Sequence, residues 1–295
     1  MSSYWSEYIQ TTEELYLSRE TRFTDQNKEL WLRHIGAEPG MSALEIGCGG
    51  GMFVHKLKGL IPDLNITGLD MDRNHISYAR EKAAELGLDC TFVEGDIGSL
   101  PFADETFDLV YSHTVAEHVP TDLFFGEQRR VLKKGGRISV LSVRTKLGVK
   151  DVATCEQPDE EKELMEKLFS KTGDMFSKYG VGKYEMEEHA YPHRLAQYGF
   201  HDIEVQMFTV MDYCPDNASV SAEEAVRQIN SRRRLHLNQI RKGIRMAPDA
   251  LTDKEIERLI NIIHAKYDKR LAEYNEGIPV WDFTTCAVLA VSGKK

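Results

Sequence analysis

Cysteine is scarce in this sequence. Five occur in 295 residues, at Cys48, Cys90, Cys155, Cys214 and Cys286, and no two stand in a CxxC pair. An odd, scattered set excludes a disulfide framework and a thiolate zinc site, and it suits a reducing cytosol. Long apolar runs are missing as well. None approaches the roughly 18 residues that a membrane-spanning helix needs. The opening stretch MSSYWSEYIQTTEELY also lacks the basic-then-apolar order of a secretory signal. Positive charge is in deficit, 37 Lys and Arg against 47 Asp and Glu, for a net charge of −10. Such a molecule repels phosphate backbones, so nucleic acid is a poor default partner. Histidines and acids do not gather at ligand spacing either, the nearest case being Glu187 to His193, and no metal is expected. The expectation is a cytoplasmic, soluble protein; its 41% hydrophobic residues are enough for a real core.

What is present is a rhythm. A helix near 24–35 stops at Gly36, with Pro39 and Gly40 beyond it. SALEIG then reads as a buried strand, MFVHKLKGL as a helix closed by Pro62, and LNITGLD as a second strand. Asp72 caps a helix over 73–86 that Gly87 ends. DCTFVEGD and TFDLVYS make two more strands, Thr121 is placed to cap a helix reaching Leu132, and RISVLSV follows KKGG as a fifth strand. Strands joined by helical crossovers imply an α/β fold with a doubly wound, mostly parallel sheet. After residue 145 the rhythm breaks. A charged helix is expected over 158–178 and a short one over 192–198, followed by the strand FHDIEVQMF. A helical stretch over 221–276, with boxes SAEE and TDKE and stops near Gly243 and Gly277, precedes the last strand, WDFTTCAVLAVSG.

The chemistry concentrates in ALEIGCGGG, residues 43–51. A strand, a glycine turn and a helix bring backbone N–H groups and a positive helix end to one spot. A dinucleotide site wants G-x-G-x-x-G, but the glycines fall at 47, 49, 50 and 51, and Met52 follows. Glu45 would repel a pyrophosphate. It suits a ligand that carries a cation, such as an amino-acid ammonium.

On these residues the chain resembles the class I S-adenosylmethionine-dependent methyltransferases, small-molecule and quinone-biosynthesis-like in type. Glu45-Ile-Gly47-Cys-Gly49-Gly-Gly51 is similar to their acid-x-G-x-G-x-G motif. Asp70 in TGLDMD, EGDIGSLPF at 94–102 and FDLVYSHTVAEHV at 107–119 match later motifs in order, so the likeness covers about 40–145. The resemblance implies a seven-stranded Rossmann-like fold and an enzyme that uses S-adenosylmethionine, leaves S-adenosylhomocysteine and needs no metal. It implies that Glu45, Gly47, Gly49 and Gly51 approach the amino-acid tail and that Asp70 takes both ribose hydroxyls. Asp96 would bind the adenine amine, Met71 and Ile97 its faces, with Ser112 and His113 in the crevice. In-line displacement needs a base only when the acceptor is protonated, and His113 and His118 are the candidates.

By segment, the reading is an N-terminal lid and first helix at 1–40, a cofactor core at 41–145 and a helical cap at 146–190. The last core strands lie in 191–211 and 279–295, and a helical insertion, cover or homodimer contact, in 212–278. Tyr4, Trp5 and Tyr16 of the lid, which also carries Tyr8 and Arg19, are candidate substrate contacts. So is Arg233, set in the apolar stripe Ala222, Val226, Ile229, Leu237, Ile240 and Ile244. A buried-face arginine needs an anion, and an acidic substrate, an internal carboxylate and plain water all remain open. The favoured function is methyl transfer to a small molecule. RNA or protein methylation, suggested by the basic run 227–245, and non-catalytic cofactor binding stay as alternatives, with an NAD-dependent oxidoreductase behind them.

Overall fold

Short apolar runs between glycine stops fold as strands covered on both faces, as parallel sheets require. The computed structural model describes residues 5–144, 147–149, 158–172 and 179–295. Its strands are β1 (Ser42–Ile46), β2 (Asn65–Asp70), β3 (Thr91–Glu94), β4 (Phe107–His113), β5 (Leu132–Arg144), β6 (His201–Tyr213) and β7 (Thr284–Lys294). They form one sheet in the order β3-β2-β1-β4-β5-β7-β6. Only β7 runs antiparallel to its neighbours, β5 and β6. The mostly parallel, seven-stranded sheet expected from the sequence is present. Tyr4, Cys155 and the 173–178 end of the expected 158–178 helix lie outside the described residues.

The principal helices are α1 (Thr12–Glu20), α2 (Lys28–Ile35), α3 (Met52–Leu60), α4 (Arg73–Glu85), α5 (Thr121–Val131), α6 (Asp159–Ser170), α7 (Ala190–Gln197), α8 (Ala222–Met246) and α9 (Asp253–Asn275). Several depart from expectation for local reasons. α2 starts at Lys28 rather than 24, because Asn27 Oδ1 accepts the Thr24 N–H at 2.9 Å and holds a turn ahead of the helix. Pro120, not Thr121, is the cap of α5, and it offers no side-chain bond. Ser221 caps α8, but Glu224 turns to Arg227 instead of completing the box; Thr252 and Glu255 complete theirs. Gly243 lies inside α8 rather than at its end. A Cβ there would sit 2.7 Å from Leu168, so this glycine serves a close crossing with α6.

Two cores cover the faces of the sheet, one around Trp31, Phe53, Leu57 and Phe92, the other around Phe124, Phe125, Leu132 and Tyr191. A third joins α6, α8 and α9 through Leu168, Ile229, Ile240, Leu259 and Ile263. The segments read as a separate cap and insertion thus share one helical unit. Its root is charged. Arg270 is 2% exposed and donates to Asp282 at 3.0 Å and Asp216 at 2.6 Å, while the Tyr213 hydroxyl donates to Asp282 at 2.9 Å. Asp216 also accepts the Trp281 N–H, which delays β7 until Thr284. β1 and β4 lie side by side at the centre of the sheet, with the chain continuing to opposite sides; ligands bind at such a switch point.

Candidate functional site

From Ile46 the chain turns through the glycines into α3. Gly47, Gly49 and Gly51 take φ of +66°, +54° and +82°, a region closed to most side chains. Space is short as well. A Cβ on Gly49 would lie 2.5 Å from the Leu15 side chain of α1, and one on Gly47 would lie 2.6 Å from Val115. The loop is therefore clasped between the N-terminal helix and the segment after β4. Gly47 lines a cavity of about 250 Å³ at this carboxyl edge, with Trp5, Arg19, Asp70, Met71, Ile97, His113 and His118 among its other walls. Gly49 and Gly51 shape the loop behind that wall, Gly51 as the cap of α3.

Asp70, at the tip of β2, braces the loop. Its Oδ2 accepts the Gly49 N–H at 2.8 Å and its Oδ1 accepts the Asp72 N–H at 2.9 Å, yet 12% of the side chain stays accessible. Met71 and Ile97 line the cavity as expected. Asp96 is not part of its wall: it is exposed and spends one oxygen on the Gly98 N–H at 2.8 Å. Ser112 is fully buried behind the wall, its Oγ without a partner.

Glu45 lies in a narrow recess shared with Arg19, Gly47, Phe53 and His113. Burial lifts its carboxyl to about 8, although the Tyr111 hydroxyl, 3.0 Å away, and the Arg19 charge both favour the anion. Arg19 reaches across from α1 to Thr114 Oγ1 at 3.0 Å and to Ser18 Oγ at 2.9 Å, both neutral. No carboxylate lies within 4 Å of it among the described residues. Burial and nearby Arg22 lower its pKa to about 9, so it is still a cation at neutral pH. Thr114, a β-branched residue, is held at φ +56°, and such strain concentrates at functional sites.

The two histidines differ. His113 lies edge-on to Trp31 and tilted on Phe53, with neither ring nitrogen partnered. Burial, with Arg19 and Arg22, holds it well below the usual histidine range, hence neutral. His118 packs against Trp5 at 4.8 Å, and its Nδ1 lies 3.0 Å from the Gly182 N–H. Accepting that bond puts the ring proton on Nε2, which is then a donor. Burial depresses its pKa to about 4. That geometry argues against the general-base role expected of His118.

Two expected substrate contacts lie away from the main cavity. Tyr16 lines the narrow recess of Glu45 and packs against His55 and Tyr78 behind the glycine loop. Arg233 pairs with Asp268 of α9 at 2.7 Å, so its partner is the internal carboxylate. Conversely, Thr114 and His75 line the site without having been singled out for it, and Arg19, read only as a lid residue, shares the recess with Glu45. The sequence held a signal for Arg19: the Thr11–Glu14 capping box starts α1 at Thr12 and puts Leu15 and Arg19, four apart, on one face. Among the described residues no group of three or more His, Cys, Asp or Glu is arranged for a metal, and no helix is long and apolar enough to cross a membrane.

A family model described as a methyltransferase domain matches residues 37–198, more than half of the chain. The chain belongs to that family. This methyltransferase domain is similar to a sterol 24-C-methyltransferase of Gibberella zeae, 36% identical over 116 residues, which are 38% of this chain and 30% of the relative. It is also similar to a fatty-acid O-methyltransferase of Mycolicibacterium smegmatis, 37% identical over 98 residues, 33% of this chain and 35% of the relative. The matches span about a third of those relatives' length. Among solved structures, a phosphoethanolamine N-methyltransferase 2 of Haemonchus contortus, determined with S-adenosyl-L-methionine, shares the fold. Its TM-score is 0.53 at 17% identity, over 99% of this chain and 59% of that one. The family resemblance and the Rossmann-like methyltransferase fold read from the sequence are both borne out.

Proposed function

We propose that the cavity binds S-adenosylmethionine and that the chain transfers its methyl group to a small-molecule acceptor. One observation carries this reading. A carboxyl (Glu45) and an otherwise unpaired guanidinium (Arg19) share a recess, and a strand-tip carboxylate (Asp70) lines the cavity beside it. Together they complement an amino-acid zwitterion joined to a sugar diol. A dinucleotide brings no ammonium to Glu45, and its pyrophosphate would oppose ionisation of that carboxyl.

The bound sulfonium supplies a methyl carbon with its leaving group already in place. The protein's part is to position and dry the reactants, which is worth several kcal/mol. Glu45 takes the ammonium and Arg19 the carboxylate. Asp70 holds the ribose, while Met71 and Ile97 flank the base. His113, neutral and walled by Trp31 and Phe53, keeps the reacting end apolar. His118 offers an Nε2–H to the acceptor. Relatives named for sterols and fatty acids support a small acceptor. RNA is disfavoured because arginines of the basic run are engaged internally, Arg227 with Glu20 and Glu224, and Arg233 with Asp268.

Calorimetric titration of cofactor-free protein tests the reading. S-adenosylhomocysteine should bind one to one and NADH should not bind. NADH binding without S-adenosylhomocysteine binding would overturn it.

A further inference from the structure

The acceptor capacity of Asp70 is nearly used up before any ligand arrives. A carboxylate offers about four acceptor sites. Gly49 N–H occupies one on Oδ2 at 2.8 Å, Asp72 N–H one on Oδ1 at 2.9 Å, and His75 Nδ1 stands 3.4 Å from the same Oδ1. One site remains, on Oδ2, whereas a ribose diol brings two donors. The expectation that this carboxylate alone accepts both hydroxyls therefore fails on a count of lone pairs.

Beside Asp70, His75 offers a second acceptor. It lies in the first turn of α4, is 2% exposed, and is among the residues lining the same cavity as Asp70. Its Nε2 is buried without a hydrogen-bond partner. With the Nδ1 proton directed at Asp70, Nε2 carries the free lone pair. A buried polar atom left unpaired is costly, so a ligand donor at this position gains a bond and removes that cost.

We propose that His75 Nε2 accepts the second hydroxyl of the bound nucleoside's ribose, so that Asp70 and His75 together recognise the sugar. The inference rests on the cofactor reading above and adds a specific contact to it. Asp70 fixes the ring tautomer, and the ring supplies the acceptor that Asp70 lacks. A nucleoside missing the hydroxyl that meets His75 loses one bond, and a chain missing the imidazole loses the same bond.

The test combines variants with ligands. Wild type, His75→Phe and His75→Gln are titrated with S-adenosylhomocysteine and with its 2′-deoxy and 3′-deoxy analogues, after melting curves establish that each protein is folded. His75→Phe should weaken S-adenosylhomocysteine about tenfold, the scale of one hydrogen bond to a buried group. For one of the two deoxy analogues the substitution should make less than about a twofold difference. For the other the full loss should persist. His75→Gln, whose amide oxygen reaches the Nε2 position, should restore most of the affinity. Equal weakening of all three ligands by His75→Phe would mean that His75 only braces Asp70, and no weakening would mean that it does not meet the sugar. Either result overturns the proposal. Should His75→Phe not fold, His75→Leu takes its place and is read by the same outcomes. Wild-type protein that binds none of the ligands would instead remove the cofactor reading itself, and this inference with it.

Discussion

Glu45 makes a quantitative demand on pH. Burial holds its carboxyl at about 8, so at neutral pH it is mostly protonated. A ligand ammonium needs the anion, and binding must therefore expel a proton. With a free pKa of 8 and a bound pKa below 6, the apparent Kd of S-adenosylhomocysteine should fall about fiftyfold from pH 6 to pH 8, close to 1.4 kcal/mol per unit at the acid end. The sign is fixed: affinity rises with pH and levels off above 8. At pH 7, calorimetry in buffers of different ionisation enthalpy should register release of about one proton. Glu45→Gln should flatten the profile, match wild type near pH 6 and fall well behind it at pH 8. A flat wild-type profile, or a slope that survives in Glu45→Gln, would refute the placement of the ammonium beside this residue.

Other substitutions have equally definite outcomes. Asp70→Asn loses a charged acceptor for the Gly49 and Asp72 N–H groups as well as for the ligand; calorimetry should show about ten- to hundredfold weaker S-adenosylhomocysteine binding, from the one charge-assisted bond it makes to the ribose. Gly49→Ala meets both a φ of +54° and the Leu15 side chain 2.5 Å away, and denaturant unfolding should register a loss of about 1–3 kcal/mol, part of it recovered with Leu15→Ala. His118→Leu should raise the KM of the acceptor, while His118→Gln, which keeps a donor, leaves the pH profile of kcat unchanged; a vanished pH limb in either variant would restore His118 as a base. The pKa values of His55, His118 and His236 are depressed to about 4 by burial. Their stability contribution is complete above pH 6.5 and is lost as pH falls towards 4, so acid titration of the melting temperature should drop steeply across that window, and less so in His55→Phe.

The sheet was legible because strands buried on both faces leave short apolar runs between glycine stops, and the loop at 47–51 was legible because its backbone tolerates nothing larger. Helix interiors carried less information. Gly243 reads as a stop in the sequence, yet its role is set by Leu168 across a helix crossing, which periodicity does not encode. The merging of α6 with α8 and α9 into one core is likewise a fact of tertiary contact. Within the site, residues next to the strand tips were found by motif, whereas roles that depend on distant partners were not. The tautomer of His118 is set by Gly182, 64 residues away, and the charge on Arg233 is met by Asp268, 35 residues away. Arg19 was legible as part of the N-terminal lid, but its place beside Glu45 was not, although its helix announces itself in the Thr11–Glu14 box.

The most direct measurement is a crystal structure of the protein with S-adenosylhomocysteine. The amino group should lie within hydrogen-bonding distance of Glu45, the carboxylate against Arg19 and the ribose against Asp70. A ligand ordered outside this cavity, or inside it with its amino acid at the β2 tip and its sugar at Glu45, would contradict the account.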